Sequence, residues 1–197
     1  MNNLEQLKQS SDIESVLAKL LNDYSKEILN IPYNRINEEY AKQYIQKWLY
    51  TAKFTYKEQQ IDLFKVSGDY VYAHCISSDF AMGAGIALEF TKRGVKAKLQ
   101  SLYQPFWKGK GYNRLVPMKN HVIANLVTKE KYSDKPTYQT LKDSLISLKE
   151  DMDYHKYTKL AMPKIGCGLD GLEWSKVKEI IYEVFSDTNY EILVCYL

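Results

Sequence analysis

The sequence predicts an α/β fold, a layered domain in which strands and helices alternate around one sheet. Three observations carry this. Short apolar runs alternate with amphipathic stretches from about residue 54 to the end, the pattern of strands followed by helices. Two glycine-rich segments each stand between a predicted strand and a predicted helix. The composition, 45% hydrophobic and 26% charged, is that of an ordinary globular domain.

The first 50 residues follow another pattern. Leu4, Leu7, Ile13, Val16, Leu17, Leu20, Leu21, Tyr24, Ile28 and Leu29 recur at helical spacing among charged residues, and Pro32 ends the run. A second amphipathic stretch over residues 37–50 places Tyr40, Tyr44, Ile45, Trp48 and Leu49 on its apolar side. Residues 1–52 are therefore expected to form a helical extension, and residues 53–197 an α/β domain. In that domain residues 71–76, 122–127, 159–163 and 190–196 read as strands. Helices are expected from about Ile86, over 140–152 and over 174–185.

Composition narrows the function classes. A net charge of +3 does not predict a nucleic-acid binder. Cys75, Cys167 and Cys195 are an odd set without paired spacing, which argues against a disulfide scaffold and for a reducing compartment. No apolar run is long enough to span a bilayer, and the first ten residues lack a signal-peptide core. A cytoplasmic monomer is expected. His74, His121 and His155 stand apart without ligand spacing, so neither a metal nor a cofactor is expected.

The first glycine loop is Met82-Gly83-Ala84-Gly85-Ile86. Glycines allow close backbone approach to a ligand, and amides at the following helix start favour an anion. Leu88 stands where a dinucleotide fingerprint needs its third glycine, and the Gly-Lys-Ser/Thr of a Walker loop is absent. The second loop runs Pro163-Lys164-Ile165-Gly166-Cys167-Gly168-Leu169-Asp170-Gly171. Two such loops at the carboxyl ends of strands suggest a crevice able to grip a diphosphate from both sides. Lys129 ends a third strand, and Pro136 opens the next helix in Lys135-Pro136-Thr137-Tyr138.

Taken together, these segments resemble the terminal ADP-ribose protein glycohydrolase branch of the macrodomain superfamily. The matching blocks are Phe54-Thr55-Tyr56 with Asp62-Leu63-Phe64, then Ala73-His74-Cys75-Ile76-Ser77, then the first glycine loop. Thr128-Lys129, Lys135 to Tyr138, Pro163 to Asp170, Trp174 and the terminal Tyr196-Leu197 follow in family order. The resemblance implies a three-layer α/β/α macrodomain with a mixed central sheet, here preceded by the helical extension. It implies an ADP-ribosyl hydrolase whose substrate is ADP-ribose on a protein carboxylate, a nucleic-acid base or a small molecule. Dephosphorylation of ADP-ribose 1''-phosphate, deacetylation of O-acetyl-ADP-ribose, and binding without catalysis are the alternatives.

By the same resemblance Asp62 accepts from the adenine amine and Leu63 lies beside the ring. Ser77 and the loop of Met82, Gly83, Ala84, Gly85 and Ile86 border the diphosphate and distal ribose. Lys164, Ile165, Gly166, Cys167, Gly168 and Leu169 wrap them from the other side. Thr128 joins the ligand-binding positions, and Leu197 lies against the adenosine part. Lys129 matches the family's catalytic lysine and Asp170 its acid/base. Cleavage at an anomeric carbon builds oxocarbenium character, which a nucleophile and a proton-transfer group relieve. A lysine attacks only as the neutral amine; a nearby carboxylate opposes that state and burial favours it. Two departures stand out: Ile61 where the family usually has glycine, and Glu130 where relatives tend to be basic.

Overall fold

The Val71–Ser77 strand shows how the domain is layered. Val71 and Ala73 face one apolar cluster while Tyr72 and Ile76 face another, so successive side chains feed opposite sides of the sheet. The computed structural model describes residues 54–197; the helices expected over 4–29 and 37–50 lie outside the described residues. Its strands are β1 (Thr55–Gln60), β2 (Val71–Ser77), β3 (Tyr112–Pro117), β4 (Val122–Lys129), β5 (Lys159–Pro163) and β6 (Glu191–Tyr196). Its helices are α1 (Gly85–Lys92), α2 (Val95–Leu102), α3 (Tyr138–His155) and α4 (Trp174–Phe185), with a 3-10 turn at Leu63–Lys65.

The six strands form one mixed sheet in the order β1-β6-β5-β2-β4-β3. Every pairing is parallel except β3 with β4. Leu141, Leu145, Leu148 and Met152 of α3 join Val177, Ile181 and Phe185 of α4 over one face. Phe90 of α1 and Val95 and Leu99 of α2 cover the other. Helices on both faces explain why the central strands are almost continuously apolar.

Strands β1 and β3 and helix α2 were not expected from the sequence, and each has a physical reason to be quiet. Strands β1 and β3 are the two edges of the sheet. Their sequences, TYKEQQ and YNRLVP, carry polar residues and a proline that a central strand would not tolerate. Helix α2 buries only Val95 and Leu99, too little to give a helical stripe.

His74 is a core residue. Its ring stacks on Phe90 at 4.0 Å between centroids, and Nε2 lies 2.9 Å from Asn125 Oδ1. Asn125 in turn donates through Nδ2 to the Arg114 carbonyl at 3.0 Å, so a polar chain pins β2, β4 and β3 together. Burial lowers the imidazole to about 4 against the ordinary 6.5. Between pH 6.5 and 4 the unfolded chain takes the proton and the folded chain does not, so stability falls as pH falls, and the loss is complete below 4. The expected loss is about 3 kcal/mol. Denaturant midpoints measured from pH 7 to pH 4 on wild type and on His74→Gln test this, because the variant lacks that part of the slope.

Candidate active site

A cavity of about 770 Å³ opens over the carboxyl ends of β2, β4 and β5, where an open α/β sheet places its ligand crevice. Cys75, Ile76 and Ser77 at the end of β2 form one part of its wall. The first glycine loop, with Met82, Gly83, Ala84, Gly85 and Ile86, forms another, and Lys164, Ile165, Gly166, Gly168, Leu169 and Asp170 form the side supplied by the second loop. Lys129 enters from the end of β4.

The loops owe their shapes to local backbone constraints. Phe80 and Met82 sit at φ 54 and 48, and Gly85 at φ 54, so the turn after β2 runs largely through left-handed conformations. Non-glycine residues held there concentrate at ligand clamps and switch regions. Helix α1 begins at Gly85 behind Ala84, which offers no side-chain cap, leaving the first amides of α1 uncapped. In the second loop Gly166 has φ 71, and a methyl there would stand 2.8 Å from Leu172 Cδ1. Glycine alone fits that approach.

At the centre Lys129 Nζ donates to Asp170 Oδ1 at 2.6 Å, and their side chains are only 13% and 16% exposed. The ion pair joins two residues 41 positions apart in sequence. Nearby, Lys135 Nζ donates to the Leu169 carbonyl at 2.5 Å, tying the segment before α3 to the second loop.

A further carboxylate organises the opposite rim. Asp79 accepts from Ser77 Oγ at 2.5 Å, from the Ala81 amide at 3.1 Å and from the Tyr132 amide at 3.0 Å. Partial burial alone would raise its carboxyl; those hydrogen bonds outweigh it and hold the group below the usual carboxylate range. Ser78 Oγ donates to the Glu130 carbonyl at 2.9 Å, adding a second tie between the β2 turn and the segment after β4. Cys75 is no thiolate nucleophile, because burial and then the Asp170 charge push its thiol up.

The residues expected from the sequence divide into two groups. Lys129, Asp170, Ser77, Lys164, Ile165, Gly166, Gly168, Leu169 and the first glycine loop line the cavity together. Asp62, Leu63, Thr128, Cys167 and Leu197 do not line it. Asp62 caps the Leu63–Lys65 turn by accepting from the Phe64 amide, and Leu63 is buried in the core beneath. Thr128 is buried beside Lys129, Cys167 packs against the α3–α4 cluster, and Leu197 is 92% exposed. Ile61, the substitute for a glycine, continues the β1–β6 ladder through its amide to the Tyr196 carbonyl at 3.0 Å. Asp79 and the wall formed by Tyr132, Ser133, Asp134 and Lys135 were missed. The only sequence signal there was Lys135-Pro136, which reads as a helix start.

Residues 73–181 match the model of the Macro domain family. The span runs from within β2 into α4 and contains both glycine loops, Lys129 and Asp170. The chain belongs to the macro domain family. The macro domain is 41% identical over 135 residues to human ADP-ribose glycohydrolase OARD1, covering 68% of this chain and 86% of that protein. Among solved structures it is similar to the macrodomain of Mycobacterium tuberculosis DarG, with a TM-score of 0.60 at 20% identity over 73% of this chain and 97% of that one. Thermosipho africanus DarTG, solved in complex with ADP-ribose, matches with a TM-score of 0.51 at 19% identity, over 70% of this chain and 43% of that one. At those identities the two structures show a shared fold. Among the described residues no helix is long and apolar enough to cross a membrane.

Proposed function

We propose that this macro domain binds ADP-ribose in the cavity over β2, β4 and β5 and hydrolyses the bond joining its distal ribose to an acceptor. The observation that carries the reading is the shielded Lys129–Asp170 ion pair, set between two glycine loops in a chain 41% identical to an ADP-ribose glycohydrolase. The acceptor is a protein carboxylate, a nucleic-acid base or a small molecule. In this reading the diphosphate lies between the loops, against the first amides of α1, and the adenine end extends towards Asp62, Leu63 and Leu197. Residues 1–52 are read as a separate helical extension of the macro domain.

With the anomeric carbon at the ion pair, Asp170 takes a proton from Lys129, and the freed amine attacks that carbon as the acceptor leaves. Asp170 then returns the proton to the departing oxygen or nitrogen, and water cleaves the ribosyl–lysine adduct. The pair is already within proton-transfer distance, so the first step needs no large rearrangement.

Thermal melting with ADP-ribose tests the binding half of this reading. At a hundred times the dissociation constant the ligand adds about 2.7 kcal/mol, an upward shift of several degrees. A folded protein whose melting temperature is unmoved by millimolar ADP-ribose would overturn the assignment of this cavity.

A further inference from the structure

The small net charge conceals a strong segregation. Residues 90–129 contain nine Lys and Arg and no Asp or Glu, so the remainder of the chain is net acidic. Much of this basic stretch folds into one edge of the domain: α2, the loop over 103–111 and the edge strand β3.

Aromatic rings are interleaved with the charges. Phe106 is 48% exposed and lies 6.4 Å from Tyr112, with Trp107 on the other side of that ring at 6.5 Å. The Arg114 guanidinium lies 4.8 Å from the Tyr112 ring and 4.9 Å from that of Tyr103, and Lys108 Nζ lies 5.3 Å from Phe106. Lys98 and the exposed Leu102 are four residues apart on α2 and share a face. The Tyr112 hydroxyl donates to the Phe106 carbonyl and holds the loop against the strand.

We propose that this edge is a docking surface for single-stranded nucleic acid. Lysines 98, 108 and 110 meet the phosphates, while Phe106, Trp107 and Tyr112 offer flat faces to unpaired bases. Cations without acidic neighbours suit a polyanion, and rings lying between them suit bases more than acyl chains or acidic side chains. The register fixes where a bound strand leads. Tyr112 pairs with Val127, two residues before Lys129, so the aromatic group stands at the cavity end of the sheet. The surface is distinct from the ADP-ribose cavity and does not depend on the reading of that cavity.

Fluorescence anisotropy of the full chain with a labelled 15-nucleotide oligothymidylate tests the proposal. Wild type binds at low salt, with log K falling linearly in log salt. Lys108→Ala/Lys110→Ala reduces the slope by about 1 and weakens binding about tenfold. Phe106→Ala weakens binding about tenfold without changing the slope. Both variants keep the wild-type melting shift with ADP-ribose, which separates failure here from failure of the cavity reading. The proposal is overturned if wild type does not bind, if the variants bind as wild type does, if polyglutamate competes as well as DNA, or if phosphatidylserine vesicles bind in preference.

Discussion

Lys129→Ala and Lys129→Arg each lower the rate of ADP-ribose release by at least about a hundredfold while leaving ADP-ribose bound, the size expected for loss of a group acting in the transition state. Alanine removes the amine whose Nζ stands 2.6 Å from Asp170. Arginine retains the charge and reaches the same carboxylate, but its guanidinium does not deprotonate in proteins and so cannot attack carbon. Failure of both variants therefore separates a nucleophile from a fixed cation. Asp170→Asn preserves the shape of the second loop and removes the proton carrier, so it too binds without turnover. Single-turnover rates together with borohydride reduction measure this directly, with a ribosyl adduct on wild type and none on Lys129→Ala. Near-normal turnover by Lys129→Arg would leave the lysine a purely electrostatic role.

The largest expected loss of stability lies at Gly111. This buried residue packs on the first turns of α3, and an added methyl would stand 1.9 Å from the Thr140 carbonyl oxygen and 3.0 Å from the Ser144 amide. It would thus intrude on the hydrogen bond that continues α3 beyond its capping box at Thr137. Backbone on both sides leaves little to yield. Gly111→Ala is expected to cost about 3 kcal/mol or more, a fall of roughly 6 °C or more in melting temperature. Gly109 provides the comparison. It has φ 73 but nothing within 4 Å of an added methyl, so Gly109→Ala should cost only the left-handed backbone penalty of roughly 1–2 kcal/mol. Calorimetric scans of both variants check the contrast, and an equal small shift would mean that α3 moves aside.

The central parallel strands were legible because burial on both faces writes them as apolar runs, as in Val71 to Ile76 and Val122 to Val127. The edge strands were not, since β1 and β3 face solvent along one side and carry Lys57, Glu58, Asn113 and Arg114. Each half of the site could be read locally: glycines after a strand mark a loop that approaches a ligand. Their meeting could not. The approach of Lys129 to Asp170 follows from β5 pairing beside β2, a fact of topology that spacing does not carry. Asp79 was invisible for a similar reason, because a carboxylate in a turn gains its role from the Tyr132 amide 53 residues away. The net charge of +3 misled by averaging, since a basic edge and an acidic remainder cancel in the sum.

The most direct test is release of free ADP-ribose from a protein mono-ADP-ribosylated on glutamate, alongside mono-ADP-ribosylated DNA and O-acetyl-ADP-ribose. The account predicts that wild type liberates ADP-ribose from at least one of these with repeated turnover, and that Asp170→Asn liberates none while still binding the nucleotide. Saturable binding of ADP-ribose by wild type without release from any of the three would contradict it, and would make the cavity a binding site alone.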